Sequence, residues 1–270
     1  MLFSQSCKKV INLNVEEKEK KIVLNSILQN NEKIVLNLTK SKSIIDDSDM
    51  EYIDNATIVL TENGTPITSK NYTGNGSYIF NHIAKKGNTY KIEISNGDLK
   101  TIKAETSILN PNLFDIIDTS STKYYDENYL SIKMKILNTD ENSYYFLECL
   151  NENGDNIYTE SMDLKVEENY WGDYLLFNNL ISGGGDIDFQ FITPKYFYDD
   201  MGGNGSANST IYIVLHRVDK ALYNYELSLH LQNSTSEDPF AEAVQVYNNI
   251  ENGFGIFGSE SFVVDSLEVK

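Results

Sequence analysis

The three histidines of this sequence are the first residues to test for chemistry. They are His82, His216 and His230. A catalytic triad needs a histidine beside a serine on an exposed elbow, and the sequence contains no Gly-x-Ser-x-Gly. It also has no Cys-x-x-Cys and no paired His–Cys spacing typical of zinc sites. We therefore expect structural or surface histidines and no enzyme; a hydrolase is the least favoured alternative.

Two acidic pairs lie in loop-like segments. Asp186 and Asp188 follow a triple glycine, and Asp199 and Asp200 open a Gly/Asn-rich stretch. Carboxylate oxygens suit calcium, but no Asp-x-Asp-x-Asp-Gly with a distal glutamate occurs. Because the chain has 40 acidic residues, such pairs arise freely. We expect no metal and no cofactor.

Aromatic side chains are abundant, with 18 Tyr and 12 Phe. The stretches "YYDENY", "NYWGDYLLF" and "KYFYDD" offer rings that stack on sugars, and Trp171 is the candidate ligand-binding residue. Tyrosine and phenylalanine are also what strand faces and sandwich cores prefer. Packing is the favoured reading, and a stand-alone surface glycan-binding protein is an alternative function.

The two cysteines differ in context. Cys149 lies in the strand-like run "SYYFLECL" and is predicted to be a small buried thiol. Cys7 follows six uncharged residues that end in Ser-Gln-Ser. It is open to four readings: a core thiol, half of a disulfide, a metal ligand, or the acylated cysteine that ends a bacterial lipoprotein signal. Such a signal has 7–15 apolar residues, whereas only the first three residues here are apolar.

Charge excludes several partners. The net charge is −18, the pI is near 4.5, and Arg217 is the single arginine. Nucleic acid and anionic lipid would be repelled, so neither is an expected partner. No stretch has the roughly 20 apolar residues that cross a bilayer.

The pattern of the chain is β almost throughout. β-Branched runs are separated by turn signals such as Asn63-Gly64 and Asn153-Gly154. Pro111 and a small polar cluster after it mark a boundary near 105–122. We predict an all-β protein with an immunoglobulin-like β-sandwich over 18–108 and a second sandwich-like domain over 118–270.

Two segments depart from this pattern. Residues 219–232 are predicted to form an amphipathic helix with Asp219 as N-cap. Leu222, Tyr225, Leu229 and Gln232 recur there at three- and four-residue steps, which predicts a stripe along one face of the helix. Near the end, Gly253, Gly255 and Gly258 alternate with bulky residues, which indicates a bulge or close backbone approach.

Two stretches carry a resemblance to a known family. The opening "CKKVINLNVEE" and the closing "DPFAEAVQVYNNIENGFGIFG" resemble the ends of Bacteroidota outer-membrane lipoproteins known as domain of unknown function 4249. The tail pattern Asn-Ile-x-x-Gly-x-Gly-x-Phe is the more specific of the two. The order of β domain, linker, second β domain and Tyr-rich helix also fits this family.

The resemblance implies a cellular location and a kind of partner. It places an acylated mature N-terminus at Cys7, so residues 1–17 become a signal remnant and tether. The family's frequent pairing with TonB-dependent transporters implies an accessory or binding subunit that docks on an outer-membrane β-barrel, either a transporter or an assembly or secretion machine. It also favours the cell surface over the periplasmic face, although Lys8 and Lys9 precede the acidic residues that promote export. Asp265-Ser266-Leu267 resembles an O-glycosylation acceptor of these bacteria, with Ser266 as the modified residue.

Overall fold

The fold consists of strands and a single helix over the part of the chain that the structure describes. The computed structural model describes residues 19–43, 46–161, 167–168, 174–179, 184–197, 206–207, 210–235, 242 and 244–269. The elements in these ranges are β1 (Ile22–Gln29), β2 (Lys33–Lys40), β3 (Thr57–Glu62), β4 (Thr65–Ile67), β5 (Lys70–Gly74), β6 (Ser77–Ile83), β7 (Thr89–Asn96), β8 (Leu99–Ser107), β9 (Phe114–Tyr124), β10 (Glu127–Thr139), β11 (Tyr144–Leu150), β12 (Asn156–Ile157), β13 (Glu160–Ser161), β14 (Glu167–Glu168), β15 (Leu175–Asn178), β16 (Gly185–Pro194), β17 (Tyr196–Phe197), β18 (Ser206–Ala207), β19 (Thr210–Val218), α1 (Lys220–Thr235) and β20 (Phe254–Glu268).

These elements confirm the predicted all-β class with a helix in the C-terminal part of the chain. A ten-stranded sheet runs in the order β14-β15-β11-β19-β20-β1-β2-β6-β5, with β12 paired to β11. Two four-stranded sheets have the orders β4-β3-β7-β8 and β13-β16-β10-β9, and β17 pairs with β18. Each four-stranded sheet shares a hydrophobic core with part of the long sheet, which makes two β-sandwiches.

Strand β20 belongs to both sandwiches. Its residues from Phe254 to Glu260 pair in parallel with β1. Its residues from Glu260 to Glu268 pair antiparallel with β19, on the other side of β20. One unbroken strand therefore joins the two halves of the long sheet. Because β20 pairs with β1, a strand from the end of the sequence completes the sheet of the first sandwich. The domain limits near 108 and 118 stay a prediction.

Both hydrophobic cores lie on the same face of the long sheet. In β20, Phe257 packs in the first core, and Val263 and Leu267 pack against the second. Residues an even number apart point to one face of a strand. Ile256 has the opposite parity and packs against α1. We call the core-bearing side the inner face and the helix-bearing side the outer face.

Helix α1 begins where the sequence predicts and packs differently from the prediction. The Leu222 backbone N–H donates to Asp219 Oδ1 at 2.7 Å, which confirms the N-cap. The buried helix residues are Leu222 and Tyr223, in the first turn, and Gln232 is exposed. The predicted stripe is therefore wrong at Gln232, whereas Leu222 and Tyr225 do lie in the cluster between the helix and the sheet, and Leu229 is half-buried.

The segment between the sandwiches is bonded to β20 and β19. Ser259 Oγ donates to the Ser107 carbonyl at 2.7 Å, and Ser261 Oγ donates to the Leu109 carbonyl at 2.8 Å. Arg217 donates to the Asn110 carbonyl at 3.0 Å. These bonds fix the connecting segment along β19 and β20, which we call the seam between the two sandwiches. The sequence predicts an interruption of the β structure at the polar run after Pro111, but this run forms the exposed edge strand β9.

The glycines of the tail confirm the predicted close approach. A Cβ at Gly255, whose φ is +105°, would overlap the Leu24 carbonyl oxygen of β1. A Cβ at Gly253 would lie 2.7 Å from the Ile22 carbonyl oxygen. Asn249 closes the opposite edge, because its side-chain amide donates to the Phe257 carbonyl at 2.9 Å and accepts from its N–H at 3.0 Å. The tail motif therefore forms the start of β20, where this strand begins to pair with β1.

The N-cap of α1 offers a direct test of how the helix is joined to the seam. Asp219→Ala is expected to lower the free energy of unfolding by about 1–2 kcal/mol, because it removes the cap and the acceptor of the Thr106 hydroxyl. Burial raises the pKa of Asp219 against the hydrogen bonds that lower it. The uncharged Asp219→Asn variant keeps a capping oxygen and is expected to lose less than about 0.5 kcal/mol. Urea unfolding of both variants makes the comparison; equal losses would show that the cap contributes little.

Candidate functional site

The structure describes only some of the residues that the sequence singles out. Cys7, Trp171, Asp199 and Asp200 lie outside the described residues. Lipidation at Cys7 and ligand binding at Trp171 therefore stay predictions. Ser266 lies on the exposed outer face of β20, where its register partner is Tyr212 of β19.

Cys149 is a core residue, as predicted. Its side chain is fully buried and the thiol is free. Burial raises the pKa of the Cys149 thiol to about 12. A thiol held in this state is a poor nucleophile and a poor metal ligand.

The first acidic pair takes part in local contacts beside β10. Asp186 Oδ1 accepts the Asn138 backbone N–H at 3.1 Å. Asp188 lies 3.6 Å from Lys135 Nζ, in an exposed ion pair. No set of three or more His, Cys, Asp and Glu side chains suited to a metal ion occurs within the described ranges.

His216 lies between two carboxylates on the outer face of the long sheet. Nε2 of His216 is 3.1 Å from Glu148 Oε1 of β11, and Nδ1 is 3.1 Å from Glu260 Oε2 of β20. Its side chain is 13 % exposed. Although burial lowers the pKa of His216, hydrogen bonds to the two carboxylates raise it to about 9. At neutral pH an imidazolium therefore holds three neighbouring strands together through both ring nitrogens.

The cluster continues across the sheet and toward the helix. Gln29 of β1 donates from Nε2 to Glu260 Oε1 at 3.1 Å. On α1, burial raises the pKa of Glu226, against the hydrogen bond from Tyr174 that lowers it, and Glu260 raises it further. Polar groups from β1, β11, β19, β20 and α1 thus meet on the outer face, close to where β20 changes partners.

Exposed apolar side chains flank this polar cluster. Phe262 packs its ring 5.5 Å from that of His216 and remains 42 % exposed. The outer-face patch, as we define it, consists of Ile27, Val35, Tyr212, Phe262 and Val264, each at least 37 % exposed. Their inward neighbours, such as Leu28 and Leu36, are core residues. Apolar groups that water reaches across several adjacent strands are typical of a protein contact surface.

A second exposed surface lies at the turn between β9 and β10. Tyr125 is 86 % exposed and has a positive φ of 48°. Its ring packs edge-to-face on Tyr124, with 4.5 Å between ring centroids. The sequence indicates "YYDENY" as a stretch of aromatic rings, but only the structure shows that Tyr125 has a positive φ.

The fold and these surfaces define a class of protein: two β-sandwiches that share one long sheet and carry one capped helix on its outer face over the described residues. Within that class, the chain belongs to the family described as Domain of unknown function (DUF4249), which matches residues 8–263. The match covers the whole tail motif and both sandwiches, except for the residues of β20 after Val263. No curated protein matches this chain. No helix in the described part of the chain is long and apolar enough to cross a membrane.

Proposed function

We propose that this protein is a lipid-anchored binding subunit that docks on an outer-membrane β-barrel, either a TonB-dependent transporter or another envelope machine. The observation that carries the proposal is the outer-face patch, a set of exposed apolar side chains on adjacent strands of the shared sheet. The family membership and the likeness of both chain ends to Bacteroidota lipoproteins support the address. In this proposal the protein binds and does not catalyse.

The proposed tether brings the patch within reach of a membrane partner. Eleven residues separate Cys7 from Glu19, the first described residue, and β1 begins three residues further on at Ile22. An extended chain of that length spans at most about 40 Å. Ile27 of the patch lies in this same strand β1. A lipid on Cys7 therefore keeps the patch near the rim of a barrel in the same membrane, and the cell surface is the proposed side.

Charge supports a protein partner over the bilayer itself. The chain carries a net charge of −18, which opposes close contact with anionic lipid. The patch combines aliphatic and aromatic side chains with an enclosed ionic cluster at its centre. Because the three charged groups of that cluster are paired with one another and largely buried, the side chains the patch offers to a partner are mainly apolar, as at the centres of protein–protein interfaces. A barrel rim with apolar side chains and a net positive or neutral surface fits it.

The anchor is tested at Cys7. The wild-type protein, expressed in its native bacterium, is expected to sediment with outer membranes and to carry the mass of a diacylglycerol and an acyl chain at Cys7. Cys7→Ser is expected to move it to the soluble fraction. A wild-type protein that is soluble and bears an unmodified thiol would contradict the anchor.

The docking surface is tested by Phe262→Glu. Extraction in mild detergent followed by mass spectrometry is expected to show an integral β-barrel protein with the wild type and at least tenfold less of it with the variant. Val59→Glu is the matched control, because Val59 is 52 % exposed on β3, in the other sheet of the first sandwich. A barrel protein retained equally by both variants would exclude the patch as the contact.

A further inference from the structure

The tip of the β9–β10 hairpin breaks the rule that this protein follows at comparable turns. Among the described residues, three two-residue turns join paired strands with both central residues at positive φ: Asn63-Gly64, Asn75-Gly76 and Tyr125-Asp126. The first two use the residues that this turn favours. The third places a tyrosine at φ +48° and an aspartate at +66°. A bulky residue in this region is strained, and strain of this kind gathers at functional sites.

The strained turn holds an aromatic ring in the open. Tyr125 is 86 % exposed, the highest value among the exposed large apolar side chains of the described residues. Its ring is supported edge-on by Tyr124, which in turn packs edge-to-face on Tyr129 with centroids 5.4 Å apart. The Tyr124 hydroxyl donates to Glu160, which also accepts from the Tyr158 hydroxyl, and this bond fixes the ring of Tyr124 beneath Tyr125. Tyr129, Tyr124 and Tyr125 thus form a positioned aromatic platform, with the exposed ring of Tyr125 at its end.

The surroundings of the platform select the chemistry of its ligand. The tip segment 122–129 reads TKYYDENY and contains no aliphatic side chain. Lys123, Asp126 and Glu127 are exposed beside the ring. Charged residues are depleted at the centres of protein interfaces, so a protein hot spot is disfavoured here. A flat ring bordered by hydrogen-bonding groups instead suits a sugar, whose axial C–H groups meet the negative face of the ring while its hydroxyls reach the carboxylates.

We propose that the Tyr125 tip is a carbohydrate-binding site for uncharged pyranose chains. Acidic saccharides are excluded by Asp126, Glu127 and the net charge of −18. Tyr125 supplies the stacking face, and Asp126 and Glu127 accept hydrogen bonds from sugar hydroxyls. This site is separate from the outer-face patch and goes beyond the docking proposal. Its ring also differs from Trp171, the sugar-stacking candidate from the sequence.

The test replaces the tip with the residues of the other two turns. In the full chain, Tyr125→Asn/Asp126→Gly is expected to raise the Tm by a few degrees because the strain is relieved. The same variant is expected to lose at least tenfold in affinity for a neutral polysaccharide. The probes are barley β-glucan, galactomannan and xylan, with polygalacturonate as the acidic control, in affinity gels and calorimetry. Tyr125→Phe keeps the ring and is expected to keep binding.

A matched surface variant and the opposite outcomes complete the design. Tyr52→Asn removes another exposed tyrosine, 47 % exposed in the first sandwich, and is expected to bind as the wild type does. The proposal is overturned if the wild type binds none of the three neutral polysaccharides, or if the turn replacement leaves binding unchanged. Loss of a barrel partner from the turn variant without saccharide binding would also overturn it, by assigning the tip to protein docking. The Cys7 and Phe262 experiments succeed or fail independently of these results.

Discussion

Gly255→Ala is expected to lower the free energy of unfolding by roughly 3–5 kcal/mol, the range of severe single substitutions with a named cause. Two costs add at this position. The φ of +105° is one that side-chain-bearing residues rarely adopt, and the new Cβ would overlap the Leu24 carbonyl oxygen of the paired strand. Because β1 and β20 pair in parallel at this point, the backbone has to separate to make room. Urea denaturation followed by circular dichroism measures the loss.

Gly74→Ala separates these two costs. Gly74 has nearly the same φ, +104°, but a Cβ there meets nothing within 4 Å. This control is expected to cost about 1 kcal/mol, from backbone strain alone. If Gly255→Ala costs no more than Gly74→Ala, the close approach of β1 and β20 is not what requires glycine in the tail motif.

His216→Gln is expected to lower the free energy of unfolding by about 3 kcal/mol at pH 7, because removal of the cation leaves two carboxylates facing each other on the sheet. His82→Gln is the control. His82 is 30 % exposed and bonded to one carboxylate, Glu62, at 3.0 Å. Its loss is expected to stay below about 1 kcal/mol, in the range of surface ion pairs.

The pH dependence gives a second readout for His216. The pKa of this residue is raised from 6.5 to about 9 in the folded protein. The unfolded chain releases the proton near 6.5, so the contribution is complete below pH 6.5 and is lost as the pH rises through 9. The full loss is about 3 kcal/mol. Wild-type stability is therefore expected to fall between pH 6.5 and 9, and His216→Gln is expected to be nearly flat there; parallel curves would rule out the assignment.

Sequence patterns predicted the fold where contacts are local. The hairpin turn at Asn63-Gly64 carries its own backbone preference, and Asp219 marks the start of α1 by a bond to a residue three positions away. The parallel pairing of β1 with β20 has no such signal, because its partners are separated by most of the chain. The tail glycines indicated a close approach but could not identify Leu24 as the other side of it.

The candidate sites show the same limit. Nothing adjacent in sequence distinguishes His216, since Glu148 lies 68 residues before it and Glu260 lies 44 residues after it. Register between three strands brings them together. For the tip, composition identified the aromatic stretch, but tyrosine at positive φ contradicts ordinary turn preference. Such a contradiction is visible only once the pairing of Tyr124 with Glu127 is known.

A strand common to both sandwiches also sets when this chain can fold. During synthesis, β1 is among the first strands to leave the ribosome, and its parallel neighbour emerges only after residue 254. Chains dominated by such distant pairings fold slowly and stay exposed for longer. The sheet of the first sandwich is therefore completed late, because one side of β1 has no strand partner until residues 254–260 have been made.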